Sequence, residues 1–485
     1  MNEIKRKNAN YKPLHLHLIR KSTEKYGNKQ FYLLYQARLK KLQPILTQQT
    51  KLKWGSNSNI KILKNIVELN EFSSKNPTTK AVITGVIYKE SPNKPSVLRE
   101  LRTNKQRIID DRISEIESNI YHSKSEQFFL EDQQGRIEIV DKTGCMTYLV
   151  TGMVVACLGN IGDGEIFYVT EICLPGLNRQ KLLENSIQPN SRKLVALVSD
   201  LRICDPETDL TAIDLLVDYL SGFVGDSKEQ KLQSEIVRLV IAGNSLSKCS
   251  SQSIEKTSFN QRFRETSLIS VKTDSLDSFL LKVSSIMHVD LMPGLLDPSN
   301  LALPQQPFHF CLLKNSLKNK SMQTVTNPYL FQIDETIFAG ESGQIIDDIA
   351  KYLDPSKAVK NIENQNENQN DLNDLNDLKF IDLKFELFKR YLECSHFSPT
   401  SPDTLPCFPF SGNDPFILDV CPHVYFSGCQ KKLKYEIVEY SNQINGDQKV
   451  LLIFIPSFFI TQTILLVDIN TLECFPVEFS SRIDK

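Results

Sequence analysis

Apolar residues near the start of the chain recur every three or four positions between residues 29 and 46, and this spacing predicts an amphipathic helix. The opposite face carries Arg38, Lys40 and Lys41. We interpret that face as solvated, because a few basic residues on an exposed helix surface are ordinary. The alternative is a basic helix that contacts DNA. The predicted apolar face comprises Phe31, Leu34, Tyr35, Leu39, Leu42, Ile45 and Leu46.

Between residues 60 and 178 the pattern changes to short runs in which apolar and polar positions alternate, separated by glycine-containing turns. About five strands in roughly a hundred residues fit a small closed barrel of the OB type. A charged stretch at residues 92–122 predicts a helical insertion after the first of these strands. The predicted strands lie at residues 81–88, at 127–140 as a hairpin, at 153–158 and at 166–172.

Beyond a predicted linker at residues 175–189, apolar strands alternate with amphipathic helices, and this order predicts an α/β sandwich with mixed sheets. Asp209 and Ser275 stand at the start of the two clearest helices, and we interpret them as N-caps. Residues 361–378 are rich in Asn, Asp and Glu and predict a mobile surface loop. The predicted strands lie at residues 193–199, 236–242, 289–292, 330–339 (a hairpin), 423–426, 450–455 and 463–469.

These elements predict a combined α+β and all-β architecture in three parts. Residues 1–58 are expected to form an N-terminal helical segment, and residues 59–178 an OB-fold domain that contains the insertion at 92–122. Residues 190–485 are expected to form the sandwich domain, interrupted at about 358–378 by a disordered Asn-rich loop.

Composition narrows the possible functions. The net charge of −1 supplies no general attraction to nucleic acid, so contact with DNA would have to be local or made through a partner. Eleven cysteines without a CxxC pair, and a polar N-terminus, indicate a reducing compartment, the cytosol or the nucleus. No apolar run approaches the roughly eighteen residues that a membrane span needs.

Candidate chemistry in such a fold lies just beyond the carboxyl ends of the strands. The first strand of the sandwich is followed by Asp200 and Arg202, and the second by Asn244. A late strand contains His423 and Tyr425. This order resembles the calcineurin-like metallophosphoesterases, in which DxH, GDxxD, GNH and GHxH motifs hold two metal ions that activate a water molecule.

The resemblance implies a site that has lost its ligands. Arg202 stands where a histidine belongs, Asn244 replaces the bridging aspartate, and Tyr425 takes the second histidine position beside His423. A guanidinium repels a metal ion, and an amide brings no charge to balance one. We therefore expect no catalytic residue, no metal and no cofactor. Asp200 is expected to pair with Arg202 or to cap a helix, and His423 to be a hydrogen-bonded core residue. Zinc at Cys407, Cys421 and Cys429 is disfavoured by their spacing.

Longer sequence strings resemble the B-subunits of eukaryotic and archaeal replicative DNA polymerases, and in particular the delta branch of that family. The resemblance runs from about residue 25 to the C-terminus. The strings that carry it are QFYLLYQARLKKLQPIL at 30–46, VDLMPG at 289–294, DP at 297–298, LPQQP at 303–307, TNPY at 326–329, GESGQ at 340–344, SPTSPDTL at 398–405, DPF at 414–416 and CPHVYF at 421–426.

This resemblance implies a scaffold in a nuclear hetero-oligomer. Family members bind the metal-binding C-terminal tail of the catalytic subunit and a third subunit that links the enzyme to the sliding clamp. DNA would be reached through the complex, in replication and repair synthesis, without a membrane association.

Three alternatives stay open at this point. The chain could be an active phosphoesterase with an unusual site, or the B-subunit of polymerase alpha or epsilon. It could also bind single-stranded DNA through the barrel, using aromatic side chains for base stacking. The candidate aromatic residues are Phe128, Phe129, Phe167 and Tyr168, for which packing in the barrel core is the competing interpretation.

Overall fold

We describe the chain from a computed structural model. The structure describes residues 5–21, 30–75, 79–94, 121–123, 125–162, 165–183, 192–247, 259–353, 372–441 and 444–479. Most of the predicted insertion at 92–122 lies outside these residues. None of the helices in the described ranges is both long and apolar enough to cross a membrane.

The N-terminal helix is longer than the predicted 29–46, because its buried positions continue at four-residue spacing for two more turns. Strand β1 (Tyr11–Pro13) precedes helix α1 (Tyr32–Trp54). Leu46, Thr50 and Trp54 are all buried. The interpretation of Arg38 as solvated is wrong, since only 1% of this residue is exposed. The prediction of a purely helical N-terminal segment is also wrong, because β1 pairs with a strand of the C-terminal sandwich.

A closed barrel follows α1, and α1 packs against its outer surface. Its sheet has the order β2-β3-β4-β5-β7-β6, and an additional antiparallel pairing of β3 with β6 closes it. Along β3, Ile83 and Ile87 point into the barrel core, whereas Val82 and Val86 contact the apolar face of α1. The barrel elements are β2 (Ile60–Ile62), α2 (Glu68–Lys75), β3 (Lys80–Glu90), β4 (Gln127–Glu131), β5 (Arg136–Asp141), β6 (Val154–Ile161) and β7 (Phe167–Cys173).

The rest of the described chain forms two sheets that pack face to face. Their strands are β8 (Leu194–Val198), β9 (Ile236–Ala242), β10 (His288–Met292), β11 (Met322–Thr324), β12 (Tyr329–Ile333), β13 (Thr336–Glu341), β14 (Val424–Gln430), β15 (Lys434–Tyr440), β16 (Gln448–Pro456), β17 (Thr463–Asp468) and β18 (Cys474–Glu478). Sheet I has the order β1-β12-β13-β14-β16-β15, and sheet II the order β11-β10-β9-β8-β17-β18. A shared apolar core fills the space between them.

Helices cover the outer faces of both sheets. The helices of this part are α3 (Leu210–Ser221), α4 (Ser227–Ser234), α5 (Phe259–Ser284), α6 (Gln344–Lys351), α7 (Leu372–Leu392) and α8 (Phe458–Thr461). Helices α3 and α5 pack on sheet II, and α6 and α7 pack on sheet I. The result is a sandwich of four layers, helix–sheet–sheet–helix.

Two helix boundaries differ from the sequence-based prediction, and one agrees with it. Asp209 caps α3 by accepting from the backbone N–H groups of Thr211 and Ala212, as predicted. Ser275 lies inside α5 and is not an N-cap, since its hydroxyl donates to the Val271 carbonyl one turn earlier. The loop predicted at 361–378 is wrong for residues 372–378, where leucines at three-residue spacing begin α7, and its remainder lies outside the described residues.

A buried ion pair joins α1, the barrel and the sandwich. Arg38 donates from Nε to Asp414 at 2.7 Å, and its Nη atoms donate to the carbonyl oxygens of Gly152, Pro399 and Ser401 at 2.7–2.9 Å. The Asp414 side chain is fully buried. Four hydrogen bonds from one guanidinium compensate much of the cost of removing it from water.

His396 completes this cluster, which we call the Arg38 network (Arg38, Asp414, His396 and the three carbonyl groups). Its Nδ1 accepts from the Ser398 N–H at 3.1 Å, so its Nε2 carries the proton and donates to Asp414 at 2.9 Å. Burial and the Arg38 charge lower the pKa of His396 to about 4. Burial alone raises the pKa of Asp414, but the charge of Arg38 and the hydrogen bonds from Arg38 and His396 hold it well below its usual range.

Gly152 is required where the barrel meets the sandwich. Its φ of +89° lies in the left-handed region, and a Cβ there would stand 2.0 Å from the Pro399 carbonyl oxygen. A further contact across the junction is the hydrogen bond from Lys89 of the barrel, which is also paired with Glu126, to the Tyr352 carbonyl of the sandwich. The barrel and the sandwich are therefore held in one fixed arrangement.

Replacing Arg38 with Met should destabilise the protein by about 3–5 kcal/mol, because the buried Asp414 would lose its cationic partner and three buried carbonyl groups would lose a hydrogen-bond donor. Urea denaturation followed by circular dichroism measures this change. The matched control is Lys41→Met on the same helix, which removes an exposed pair with Asp419 and should cost at most about 1 kcal/mol. Equal destabilisation by the two substitutions would contradict the assigned role of Arg38.

Candidate functional site

The carboxyl ends of the parallel strands from both sheets meet at one edge of the sandwich. Strands β8, β9 and β10 run parallel in sheet II, and β13, β14 and β16 run parallel in sheet I. Ser199, which follows β8, accepts through its hydroxyl from the Cys429 N–H at 2.8 Å. The Asp200 N–H donates to the Gly243 carbonyl beyond β9 at 2.9 Å. The structure therefore brings Asp200, Arg202 and Asn244 together at this edge, as the order of the strand ends predicts.

Asp200 and Arg202 form an ion pair at the centre of the cluster. Arg202 Nε donates to Asp200 Oδ1 at 2.9 Å, and the Ser457 hydroxyl donates to Oδ2 at 2.5 Å. The Arg202 guanidinium also lies 4.6 Å from the ring centre of Phe459. Burial alone would lower the pKa of Arg202, but the hydrogen bond and charge of Asp200 raise it above its usual value. Both oxygens of Asp200 are thus engaged within the protein.

The backbone of this cluster is held in a conformation that L-residues rarely adopt. Asp200, Arg202 and Asn244 have φ angles of 57°, 45° and 51°. Such angles cost of order 1 kcal/mol each and persist only where the surrounding contacts impose them. Here the contacts include the hydrogen bonds of the Asp200 and Arg202 N–H groups to the loop after β9. Backbone angles of this kind are typical of functional sites, although the side chains of this cluster are paired within the protein.

Asn244 and Asp297 join the loops that follow β9 and β10. The Asn244 side-chain oxygen accepts from the Leu296 N–H at 3.0 Å, and Asp297 accepts from the Leu246 and Gly294 N–H groups at 3.0 and 2.8 Å. Burial raises the pKa of Asp297 to about 6, against the effect of these backbone hydrogen bonds. A Cβ at Gly294 would stand 2.4 Å from the Asn244 backbone nitrogen, so only glycine fits there.

His423 and Tyr425 do not reach this cluster, which corrects their placement at a strand end. They lie at the beginning of β14, and six residues of extended chain, about 20 Å, separate His423 from Cys429. His423 Nδ1 accepts from the Ile337 N–H, and its Nε2 donates to the Lys181 carbonyl, both at 2.9 Å. Burial lowers the pKa of His423. The expectation of a hydrogen-bonded core histidine is confirmed, and Tyr425 stacks on Phe388.

The donors at this edge do not fit a pair of divalent cations. Asp200 is occupied by Arg202 and Ser457, and Asn244 by a backbone N–H. Within the described ranges, no group of three or more His, Cys, Asp or Glu side chains is placed to hold a metal ion. The sulfur atoms of Cys407, Cys421 and Cys429 each lie near a backbone carbonyl oxygen. We therefore derive no chemical step through a metal.

Sequence reasoning missed several buried polar residues of this edge. Ser457 directly follows β16, so the strand-end rule applied to every strand would have found it. Glu341 ends β13, where its carboxylate accepts from the Ser427 hydroxyl and from the Gly343 N–H at 2.7 Å. Burial raises the pKa of Glu341 to about 7, against the effect of the Ser427 hydrogen bond. Nothing in the sequence pattern indicates this burial.

The aromatic side chains of the barrel are largely engaged within the chain. Phe167 is fully buried in the barrel core. The Arg136 guanidinium lies 3.8 Å from the ring centre of Phe129, and Lys142 Nζ lies 4.0 Å from that of Tyr168. Lys89 lies 5.3 Å from the ring centre of Phe128. Cations of this chain thus already occupy positions over three of the four rings considered for base stacking.

Comparison with known proteins decides the family. Residues 195–436 match the family model for the B-type subunits of DNA polymerases alpha and epsilon, and residues 30–172 match that of the DNA polymerase delta subunit OB-fold domain. The chain is 33% identical to the DNA polymerase delta small subunit of Arabidopsis thaliana, over 83% of each chain. The chain belongs to the family of DNA polymerase delta small subunits.

Two further members support the assignment over nearly the whole length. The DNA polymerase delta small subunit of Saccharomyces cerevisiae is 31% identical over 93% of this chain and 90% of its own. DNA polymerase delta subunit 2 of Drosophila melanogaster is 31% identical over 93% of this chain and 94% of its own. The family resemblance predicted from sequence strings is confirmed, as is the OB-fold character of the barrel. The chain is accordingly an accessory subunit of the B type.

Replacing Glu341 with Gln should make the protein progressively more stable than the wild type as pH rises from about 5 to 8. The folded-state pKa of about 7 lies above the ordinary 4.5, so ionisation of Glu341 weakens the folded state across this interval. The difference in unfolding free energy should grow by on the order of 2–3 kcal/mol. Urea denaturation at pH 5, 6, 7 and 8 measures it.

The matched control is Glu207→Gln, at an exposed position. Its stability relative to the wild type should stay constant over the same pH range. A constant difference for Glu341→Gln as well would contradict the raised pKa of Glu341.

Proposed function

We propose that this chain is a non-catalytic scaffold of DNA polymerase delta. It would join the metal-binding C-terminal tail of the catalytic subunit to a third subunit that links the enzyme to the sliding clamp. The relatives' names support a place in this complex, since they are small subunits of polymerase delta. The nucleus follows as its place of action, and DNA would be reached through the complex in replication and repair synthesis.

The sandwich is proposed to be a calcineurin-like phosphoesterase domain that has lost its metal ligands, within the region 190–485. The four-layer arrangement, with loops meeting at the strand ends, supports this assignment. The observation that carries the absence of catalysis is the ion pair of Arg202 with Asp200. A guanidinium in this position repels a dication and engages the carboxylate that would bind one. The OB-fold domain would occupy about 59–178, with its insertion at 92–122.

Residues 200, 202 and 244 are proposed as the remnant of the ancestral site. His423 and Tyr425 are no longer assigned to it, because they lie at the opposite end of β14. The residues of β14 that lie near its carboxyl end are Gly428, Cys429 and Gln430. Neither a glycine nor a buried thiol, whose pKa is raised well above its usual value by burial, supplies the imidazole that the motif requires.

Co-purification tests the scaffold role directly. The tagged full-length chain, expressed with the catalytic and third polymerase delta subunits of the same organism, should elute with both at a 1:1:1 ratio from size exclusion. Removal of the C-terminal metal-binding tail of the catalytic subunit should release that subunit and leave the pair with the third subunit intact. Elution of the chain apart from both partners would overturn the proposal.

A hydrolysis assay tests the loss of catalysis. The purified chain with Mn²⁺ should release no more product from a phosphodiester such as bis(p-nitrophenyl) phosphate than the Asp200→Ala variant does, because the Asp200 carboxylate is already paired with Arg202. Isothermal titration with Mn²⁺ should detect no binding at the cluster. Turnover that Asp200→Ala abolishes would instead favour an active phosphoesterase.

A further inference from the structure

The four outer edges of the two sheets are not alike. Strands β1 and β11 each have three residues, and β1 ends in Pro13. Strand β18 contains Pro476, which has no N–H to offer a neighbour. Short strands and prolines are devices by which proteins prevent an open edge from pairing with another chain. Strand β15 has seven residues and no proline, so it is the one of these four edges that lacks both devices.

The outer side of β15 is open to pairing. Within sheet I it pairs on one side with β16, in an antiparallel register that runs from Lys434 opposite Phe454 to Tyr440 opposite Gln448. On its other side it makes no backbone hydrogen bond to the part of the chain that the structure describes. A row of N–H and C=O groups is therefore available to an added strand.

The side chains of β15 alternate between two faces, with Tyr435, Ile437 and Glu439 on one and Lys434, Glu436, Val438 and Tyr440 on the other. Tyr435 and Ile437 alternate along one face and are 42% and 46% exposed, high values for large apolar side chains in a strand. On the other face, Glu436 shares Lys389 of α7 with Glu386, each at 2.8 Å. One lysine thus serves two carboxylates, both about half exposed. Lys434 on the same face pairs with Asp382 of α7, so this side carries three carboxylates against two lysines and keeps a net negative charge.

We propose that β15 is a docking site for an extended strand of a partner subunit, which adds to the edge of sheet I. The chemistry of the edge calls for a strand that alternates apolar side chains, against Tyr435 and Ile437, with basic side chains, near Glu436 and Glu386. Backbone hydrogen bonds supply affinity in this mode of recognition, and the alternate side chains supply specificity. This inference rests on the proposed scaffold role and assigns one surface to it.

A second copy of the chain fits the same edge less well. In the symmetric antiparallel pairing about Ile437, the two Glu436 side chains become diagonal neighbours on one face. Like charges that close together disfavour the pairing. A basic partner strand is favoured instead, because its cations would lie beside the half-exposed carboxylates of Glu386 and Glu436.

Hydrogen–deuterium exchange tests the proposal with the full-length chain, alone and in the complex reconstituted with the catalytic and third polymerase delta subunits. Alternate amides of residues 434–440 should exchange at least tenfold more slowly in the complex. Ile437→Lys, which places a charge against the apolar side chains of the added strand, should weaken assembly at least tenfold in a titration by biolayer interferometry. Its thermal unfolding midpoint should stay close to that of the wild type, because Ile437 is already half exposed.

The matched control is Val271→Lys, another exposed β-branched residue, on α5 outside sheet II, which should leave assembly unchanged. A complex that forms while β15 remains unprotected, with equal affinity for both variants, would overturn this inference and leave the scaffold role intact. Failure to form any complex would overturn both. If the chain forms a homodimer that Ile437→Lys dissociates, then the occupant of this edge is a second copy of the chain and not a strand of a partner subunit.

Discussion

The arrangement of the whole protein depends on one guanidinium buried where three parts of the chain meet. Arg38 belongs to α1, yet its four hydrogen bonds end on the barrel at Gly152 and on the sandwich at Pro399, Ser401 and Asp414. A buried ion pair is costly to desolvate and stabilises only when its geometry and remaining hydrogen bonds are satisfied. His396 meets that condition for Asp414, because its neutral ring donates without adding a second charge. The barrel cannot shift against the sandwich without exposing these groups unpaired.

The sequence predicted the positions of helices and strands better than it predicted which side chains are buried. The hairpin of β4 and β5, the N-cap at Asp209 and the inner strands of both sheets follow from local patterns of alternation and capping, whereas the four edge strands β1, β11, β15 and β18 were not predicted. The burial of Arg38 could not be predicted, because the residue lies on the basic side of the helix and its partners are 114 to 376 positions away. Likewise, the start of α7 was hidden by a composition that is typical of disorder. Long-range contacts decide whether such residues are buried or helical, and the local spacing of residues in the sequence does not encode those contacts.

The candidate site illustrates the same limit. The order of strand ends correctly grouped Asp200, Arg202 and Asn244, because consecutive parallel strands bring their carboxyl ends to one edge. It misplaced His423 and Tyr425, because a motif read from sequence does not say at which end of its strand it lies. The backbone of the cluster keeps left-handed angles at three non-glycine residues. Such a conformation is costly for ordinary loops and persists only where surrounding contacts impose it, as the hydrogen bonds around the Asp200–Arg202 pair do here.

A scaffold must combine a fixed relative position of its parts with surfaces that stay available to other chains. The Arg38 network and Gly152 provide the first, since they fix the barrel against the sandwich through contacts that tolerate neither a lost charge nor an added Cβ. The strand-end cluster contributes to the same rigidity, because the side chains of Asn244 and Asp297 accept hydrogen bonds from backbone N–H groups of the adjoining loops. The unpaired edge of β15 provides a surface that stays available to another chain. Because β15 belongs to the sandwich that the Arg38 network fixes against the barrel, a strand added at this edge would be held rigidly relative to the barrel.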